Sequence, residues 1–106
     1  SSVKKKFYIT NNAFSPDGNG KDDILEISYT DMNNCRADVS IFDSRGRLVR
    51  DLEPQTLGIG GHFYWDGITN DETKAKVGIY IININAFSTS GKTEAYKLSC
   101  SITGIN

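Results

Sequence analysis

Apolar and polar residues alternate with a period of two through most of this 106-residue chain, and Gly, Asn, Asp and Ser gather between the alternating runs. Successive side chains of a strand leave opposite faces of a sheet, so period two marks strands with one face buried. No stretch repeats with the 3.6-residue period of an amphipathic helix. Lys6 to Thr10 predicts a short first strand, and Asn12 to Asp23 a polar loop with two glycines. A second strand runs from Ile24 to Tyr29, with Leu25, Ile27 and Tyr29 on one face and Glu26 and Ser28 on the other. After a turn over Thr30 to Asn34, Cys35, Ala37, Val39 and Ile41 face inward on a strand ending at Phe42.

Asp43-Ser44-Arg45-Gly46 predicts a tight hairpin turn, because glycine supplies the positive φ such turns need. Arg47 to Leu52 is the return strand, Glu53 to Gly61 a loop, and His62 to Trp65 a strand with Phe63 and Trp65 on one face. Asp66 to Gly78 is the longest connection and is predominantly polar. Ile79 to Phe87 is the central strand, aligning Tyr80, Ile82, Ile84 and Ala86, and Lys92 to Ile102 is the last, aligning Tyr96, Leu98, Cys100 and Ile102. Seven short strands at near-regular spacing predict an all-β fold, an immunoglobulin-like (fibronectin III-like) antiparallel sandwich of two sheets. Gly78-Ile79-Tyr80 sharpens this, since immunoglobulin-like domains set a tyrosine there whose hydroxyl bonds back to the preceding corner. Two residues further stands Ile82, where antibody domains carry a disulfide cysteine, so this strand offers no inter-sheet bridge.

Composition narrows the function classes. A net charge of −1 gives no electrostatic reason to expect nucleic acid as a partner. The longest apolar run, Ile79 to Ile82, falls far short of the ~20 residues of a membrane-spanning helix. Lys4, Lys5 and Lys6 are not followed by the roughly 7–15 apolar residues of a signal peptide. Either a signal was removed with a longer N-terminal region or, as is favoured here, the chain is a fragment of a larger one, with residues 1–5 a linker and residues 6–106 one domain. Catalysis finds little support: there is one histidine, His62, and no nucleophile elbow or paired zinc spacing.

Asp17 to Asp23 is the stretch where metal chemistry is plausible. Calcium needs several oxygen ligands on a backbone that curls, and Asp17, Asn19, Asp22 and Asp23 offer side-chain oxygens beside the Lys21 carbonyl. An EF-hand is excluded, because Asp22 stands where its glycine belongs and Ser28 where its bidentate glutamate belongs. A calcium loop of another kind stays open beside the plainer reading, in which Asp17 and Asn19 bond backbone groups of a polar turn. No cofactor is required in either case. Cys35 and Cys100 both lie on inward faces, which favours buried thiols. An oxidising compartment would also permit a disulfide, and the sequence leaves that pairing open.

Three segments carry a family resemblance. They are Asn12-Ala13-Phe14-Ser15-Pro16-Asp17-Gly18-Asn19-Gly20-Lys21-Asp22-Asp23, then Val39-Ser40-Ile41-Phe42-Asp43-Ser44-Arg45-Gly46-Arg47-Leu48-Val49-Arg50, then Tyr64-Trp65-Asp66-Gly67-Ile68-Thr69-Asn70-Asp71, closed by Gly78-Ile79-Tyr80. In this order they resemble the C-terminal domains of gliding-motility-associated and type IX-secreted surface proteins. They look equally like the immunoglobulin-like domain of the flagellar hook-capping protein. The resemblance implies a non-catalytic C-terminal module of a larger exported bacterial protein, at the cell surface, outer-membrane-associated or extracellular. Its partners would be the rest of the parent polypeptide and the secretion machinery or cell-surface components. The ending Tyr96 to Ile102 departs from the short terminal strand of the sorting members.

The same motifs have a plain physical reading. Trp65 is expected as a core anchor whose indole N–H needs a partner at the core edge. Asp66-Gly67 is expected to end that strand, with Asp66 bonding amides of the following loop. Arg45, Arg47 and Arg50 are expected to be solvated. The alternative function is a glycan- or protein-binding adhesion module working through sandwich-end loops, which gains weight if Tyr8, Tyr64 and Phe42 gather on one exposed face.

Overall fold

The computed structural model describes residues 7–9, 12–15, 24–30 and 35–103. Among these, nine strands and no helix are present: β1 (Phe7–Ile9), β2 (Ala13–Phe14), β3 (Leu25–Thr30), β4 (Cys35–Asp43), β5 (Leu48–Asp51), β6 (Gln55–Thr56), β7 (Gly60–Trp65), β8 (Gly78–Ser88) and β9 (Thr93–Ile102). One sheet has the order β1-β3-β7, and the other runs β2-β9-β8-β4-β5 with β6 also paired to β4. The expected sandwich is present, and its two strands beyond seven are the two-residue elements β2 and β6.

The alternation of the sequence becomes the core directly. Leu25, Ile27 and Tyr29 of β3, with Phe63 and Trp65 of β7, are buried against Ala37, Val39 and Ile41 of β4 and Tyr80, Ile82, Ile84 and Ala86 of β8. β8 is the spine of the larger sheet. It pairs with β4 from Cys35↔Ser88 to Asp43↔Tyr80, and with β9 from Gly78↔Ile102 to Phe87↔Thr93. A strand paired on both sides has its backbone groups satisfied within the sheet, and the inward face of β8 (Tyr80, Ile82, Ile84 and Ala86) is buried while Asn83 and Asn85 lie on the other face.

β2 lies inside the segment expected to be loop, and it pairs with β9 in parallel at Ala13↔Ser101 and Phe14↔Ile102. This pairing is the exception to the antiparallel expectation. It brings Phe14 beneath the core, 5.6 Å from the Trp65 ring in an edge-on contact, and Ser15 Oγ donates to the Thr103 carbonyl at 2.7 Å. A two-residue strand carries too little alternation to be recognised in sequence.

Gly61 has a packing reason. A Cβ there would lie 2.5 Å from Tyr29 Oη and 2.8 Å from Tyr29 Cζ, and the Tyr29 ring is itself held between Phe7 at 6.0 Å and Phe63 at 5.7 Å.

Candidate functional site

The second and third motif segments meet at one end of the sandwich. The Asp43–Gly46 turn forms as expected: Gly46 N donates to the Asp43 carbonyl at 3.0 Å with Gly46 at φ 83°. Asp43 Oδ1 accepts from the amides of Arg45 and Arg47 at 2.9 Å each, and Arg47 Nε donates to Asp43 Oδ2 at 3.1 Å. These contacts, the Arg47 amide foremost, hold the Asp43 carboxyl below its ordinary range.

Trp65 is buried, and its indole Nε1 donates to the Ile68 carbonyl at 3.0 Å, the edge partner the sequence requires. Asp66 Oδ1 accepts from the Ile68 amide at 3.1 Å. The polar connection that follows is more ordered than expected. Ile68 and Lys74 form a β-bridge, Thr69 N donates to the Thr73 carbonyl at 2.8 Å, and Ala75 N to the Gly67 carbonyl at 2.8 Å. Tyr80 closes the corner, its hydroxyl donating to the Lys76 carbonyl at 2.6 Å while its ring meets Trp65 edge-on at 5.5 Å. Burial, with smaller contributions from the Asp43 carboxylate and Cys100, pushes the Tyr80 hydroxyl above its ordinary pKa.

This folded connection covers the edge of β5. Asn70 N donates to the Val49 carbonyl at 2.9 Å, and Asn70 Oδ1 accepts from Asp51 N at 3.1 Å. Arg50 lies beneath it, half-buried, with Nη1 donating to the Thr69 carbonyl at 3.4 Å. The expectation of a solvated Arg50 is corrected. A register shift between Ile41 and Phe42 sets Arg50 opposite the inward-facing Ile41, and not on the outer face with Leu48. Between the β4–β5 turn and this connection lies a cleft of about 790 Å³, lined by Arg45, Leu48, Lys74, Lys76, Val77 and Ile79 among others. Sequence reasoning did not single out Leu48, Val77 or Ile79. Apolar residues from separate stretches of the chain give no signal of a shared surface until their neighbours in space are known.

The sequence matches the family model described as CHU_C type IX secretion signal domain over residues 8–102. The chain belongs to that family. All three motif segments, the cleft and the terminal strand β9 fall inside the matched region of this CHU_C domain. Family membership marks the chain as an export-associated module of a secreted or cell-surface protein. Among solved structures, CopC from Methylosinus trichosporium OB3b is similar at a TM-score of 0.59 and 13% identity, covering 94% of this chain and 96% of CopC. PorZ, described as an essential bacterial surface component of the type IX secretion system of Porphyromonas gingivalis, is similar at 0.53 and 18%, covering 92% of this chain and 11% of PorZ. At these identities both likenesses show the fold alone. No curated protein sequence matches the chain.

The other expected sites of the CHU_C domain resolve differently. Asp17, Asn19, Lys21, Asp22 and Asp23 lie outside the described residues, and among the described residues no cluster of His, Cys, Asp and Glu is suited to a metal ion. Cys35 and Cys100 are not bridged to one another. Cys100 lies opposite Tyr80, and Tyr80 opposite Asp43, while Cys35 is at the far end of β4. At about 3.3 Å per residue the two are separated by about 26 Å along the strands, against the roughly 7 Å limit for a disulfide. Cys100 is a buried thiol, and burial pushes its pKa up to about 11. Tyr8 and Tyr64 share the outer face of the smaller sheet, where His62 Nδ1 lies 3.3 Å from Glu26 Oε2 and 3.0 Å from Ser28 Oγ. Phe42 lies on the other sheet, so the three aromatics do not form one platform.

Proposed function

We propose that this CHU_C domain is a non-catalytic export and surface-attachment module, carried at the C-terminal end of a larger exported bacterial protein and read in its folded form by the type IX secretion machinery. The observation that carries this reading is the family match over residues 8–102, which takes in all of the sandwich but Phe7 and is not a short linear tag. A folded domain suits such a role because a rigid sandwich holds loops and outer faces in fixed relation, so a partner binds without ordering them. The parent polypeptide supplies whatever activity the exported protein has, and the module itself carries no reaction.

The test is an export assay. The 106-residue chain is fused after a periplasm-targeted fluorescent protein and expressed in a bacterium with a type IX system and in an isogenic strain lacking it. Fluorescence on the cell surface or in the medium is expected only in the first strain. Retention in the periplasm of both strains would reject the reading.

A further inference from the structure

We infer that the cleft beside Tyr80 docks an extended segment of a partner protein in which carboxylates alternate with aliphatic side chains. The inference deepens the export reading and rests on it only for the biological setting. Three well-exposed aliphatic residues from three elements line the cleft beside the more buried Val49 and Ala75: Leu48 of β5, Val77 of the connection and Ile79 of β8, exposed by 48%, 66% and 57%. Apolar surface gathered in one concavity has a standing drive toward burial, unlike single aliphatics scattered over a surface. The cleft continues past Asp43 and Ser44 into a second depression of about 340 Å³ lined by Phe42, Ile81 and Lys97. That makes a track suited to an extended chain.

Charge selects the partner. Arg47 is engaged by Asp43 at 3.1 Å. Among the described residues, no carboxylate pairs with Arg45, Lys74 or Lys76, and the one carboxylate of the lining that Arg47 does not engage is Asp71, which leaves a rim of net positive charge on a chain whose net charge is −1. Carboxylates opposite this rim, with aliphatic groups on the floor between them, satisfy both features at once. A glycan fits less well, because sugars stack on exposed aromatic rings, whereas Tyr80 in the cleft is 5% exposed and Phe42 in the second depression is half-buried. A second copy of this chain would bring the same cations to the same face. Strand addition is closed off as well, since Asn70 occupies the Val49 carbonyl and the Asp51 amide on the β5 edge. The segment is read by its side chains.

The probe is a fluorescein-labelled peptide of alternating Asp and Val, compared by fluorescence anisotropy with Lys/Val and Asp/Ser peptides of equal length on the 106-residue chain. The Asp/Val peptide is expected to bind at least tenfold tighter than either. Lys74→Glu with Lys76→Glu is expected to weaken it at least tenfold at an unchanged melting temperature, while Lys92→Glu on the β8–β9 turn leaves it unaltered. Equal binding of the three peptides, displacement by an acidic oligosaccharide, or indifference to the Lys74/Lys76 pair would overturn the inference. The peptide comparison needs no variant, so a poorly folded one does not remove the test. The binding measurement also needs no export. A fusion retained in the periplasm rejects the export reading alone, and a fusion exported normally despite K74E/K76E overturns the docking role alone.

Discussion

Replacing Tyr80 by Phe isolates one bond at the corner that holds the β7–β8 connection. The ring remains, and with it the edge-on contact to Trp65 at 5.5 Å, while the 2.6 Å bond to the Lys76 carbonyl is lost. A buried hydroxyl bond contributes about 1 kcal/mol net, rising to about 2 kcal/mol when its carbonyl partner is left unpaired. For a domain of this size each kcal/mol shifts the melting temperature by about 4 °C, so a fall of about 4–8 °C is expected at pH 7. The pH dependence gives a second, independent readout. The folded-state pKa of Tyr80 is raised above its ordinary 10.0, so the native state holds this proton after the unfolded chain has released it. Its contribution is then complete below about pH 10 and is lost as pH rises through the folded value. Tyr80→Phe has no such proton, so the gap between the two proteins should narrow above pH 10. Thermal unfolding followed by circular dichroism at pH 7 and across the alkaline range measures both. A melting temperature within a degree of the wild type at pH 7, or a gap that stays constant into strong alkali, would refute the role given to the hydroxyl.

Gly61→Ala sets a methyl group against a Tyr29 ring that is packed on both sides, and overpacking of this kind costs about 1–3 kcal/mol; calorimetry should show a lower melting temperature for this variant than for Gly58→Ala, where a Cβ meets open space. Burial raises Cys100 to about 11 from an ordinary 9.0 and, with the Glu94 bond adding to it, Tyr96 to about 12 from 10.0. Both folded-state values lie above the unfolded ones, so stability should be lost progressively from about pH 9 to about pH 12, seen as a falling urea midpoint. Thiol titration without reductant should count two thiols after unfolding and find Cys100 unreactive in the native protein at pH 8, whereas a count of zero would contradict the separation of the cysteines along the sheet.

Much of the fold was legible because alternation is a local property. Leu25-Ile27-Tyr29, Phe63-Trp65 and Tyr80-Ile82-Ile84-Ala86 each declare a buried face within a few residues, and each is buried. The corner was legible too, since a glycine two residues before a tyrosine and an aspartate after a tryptophan are short-range signals for Tyr80–Lys76 and Asp66–Ile68 bonds. What escaped was short or relational. β2 and β6 have two residues each, and the order in the 66–77 connection comes from Thr69 and Thr73 meeting across a turn at 2.8 Å.

The sequence by itself determined that the chain folds as two β layers around Trp65, Tyr80 and Ile82, because a period-two pattern can bury its apolar side only in a sheet that faces another layer. Only the tertiary structure decided how far apart Cys35 and Cys100 stand, which face Arg50 takes, and that Leu48, Val77 and Ile79 share one basic-rimmed cleft. Those outcomes depend on strand register and on which loop folds over which edge. Both are set by contacts between residues distant in the chain, and no local run of amino acids encodes them.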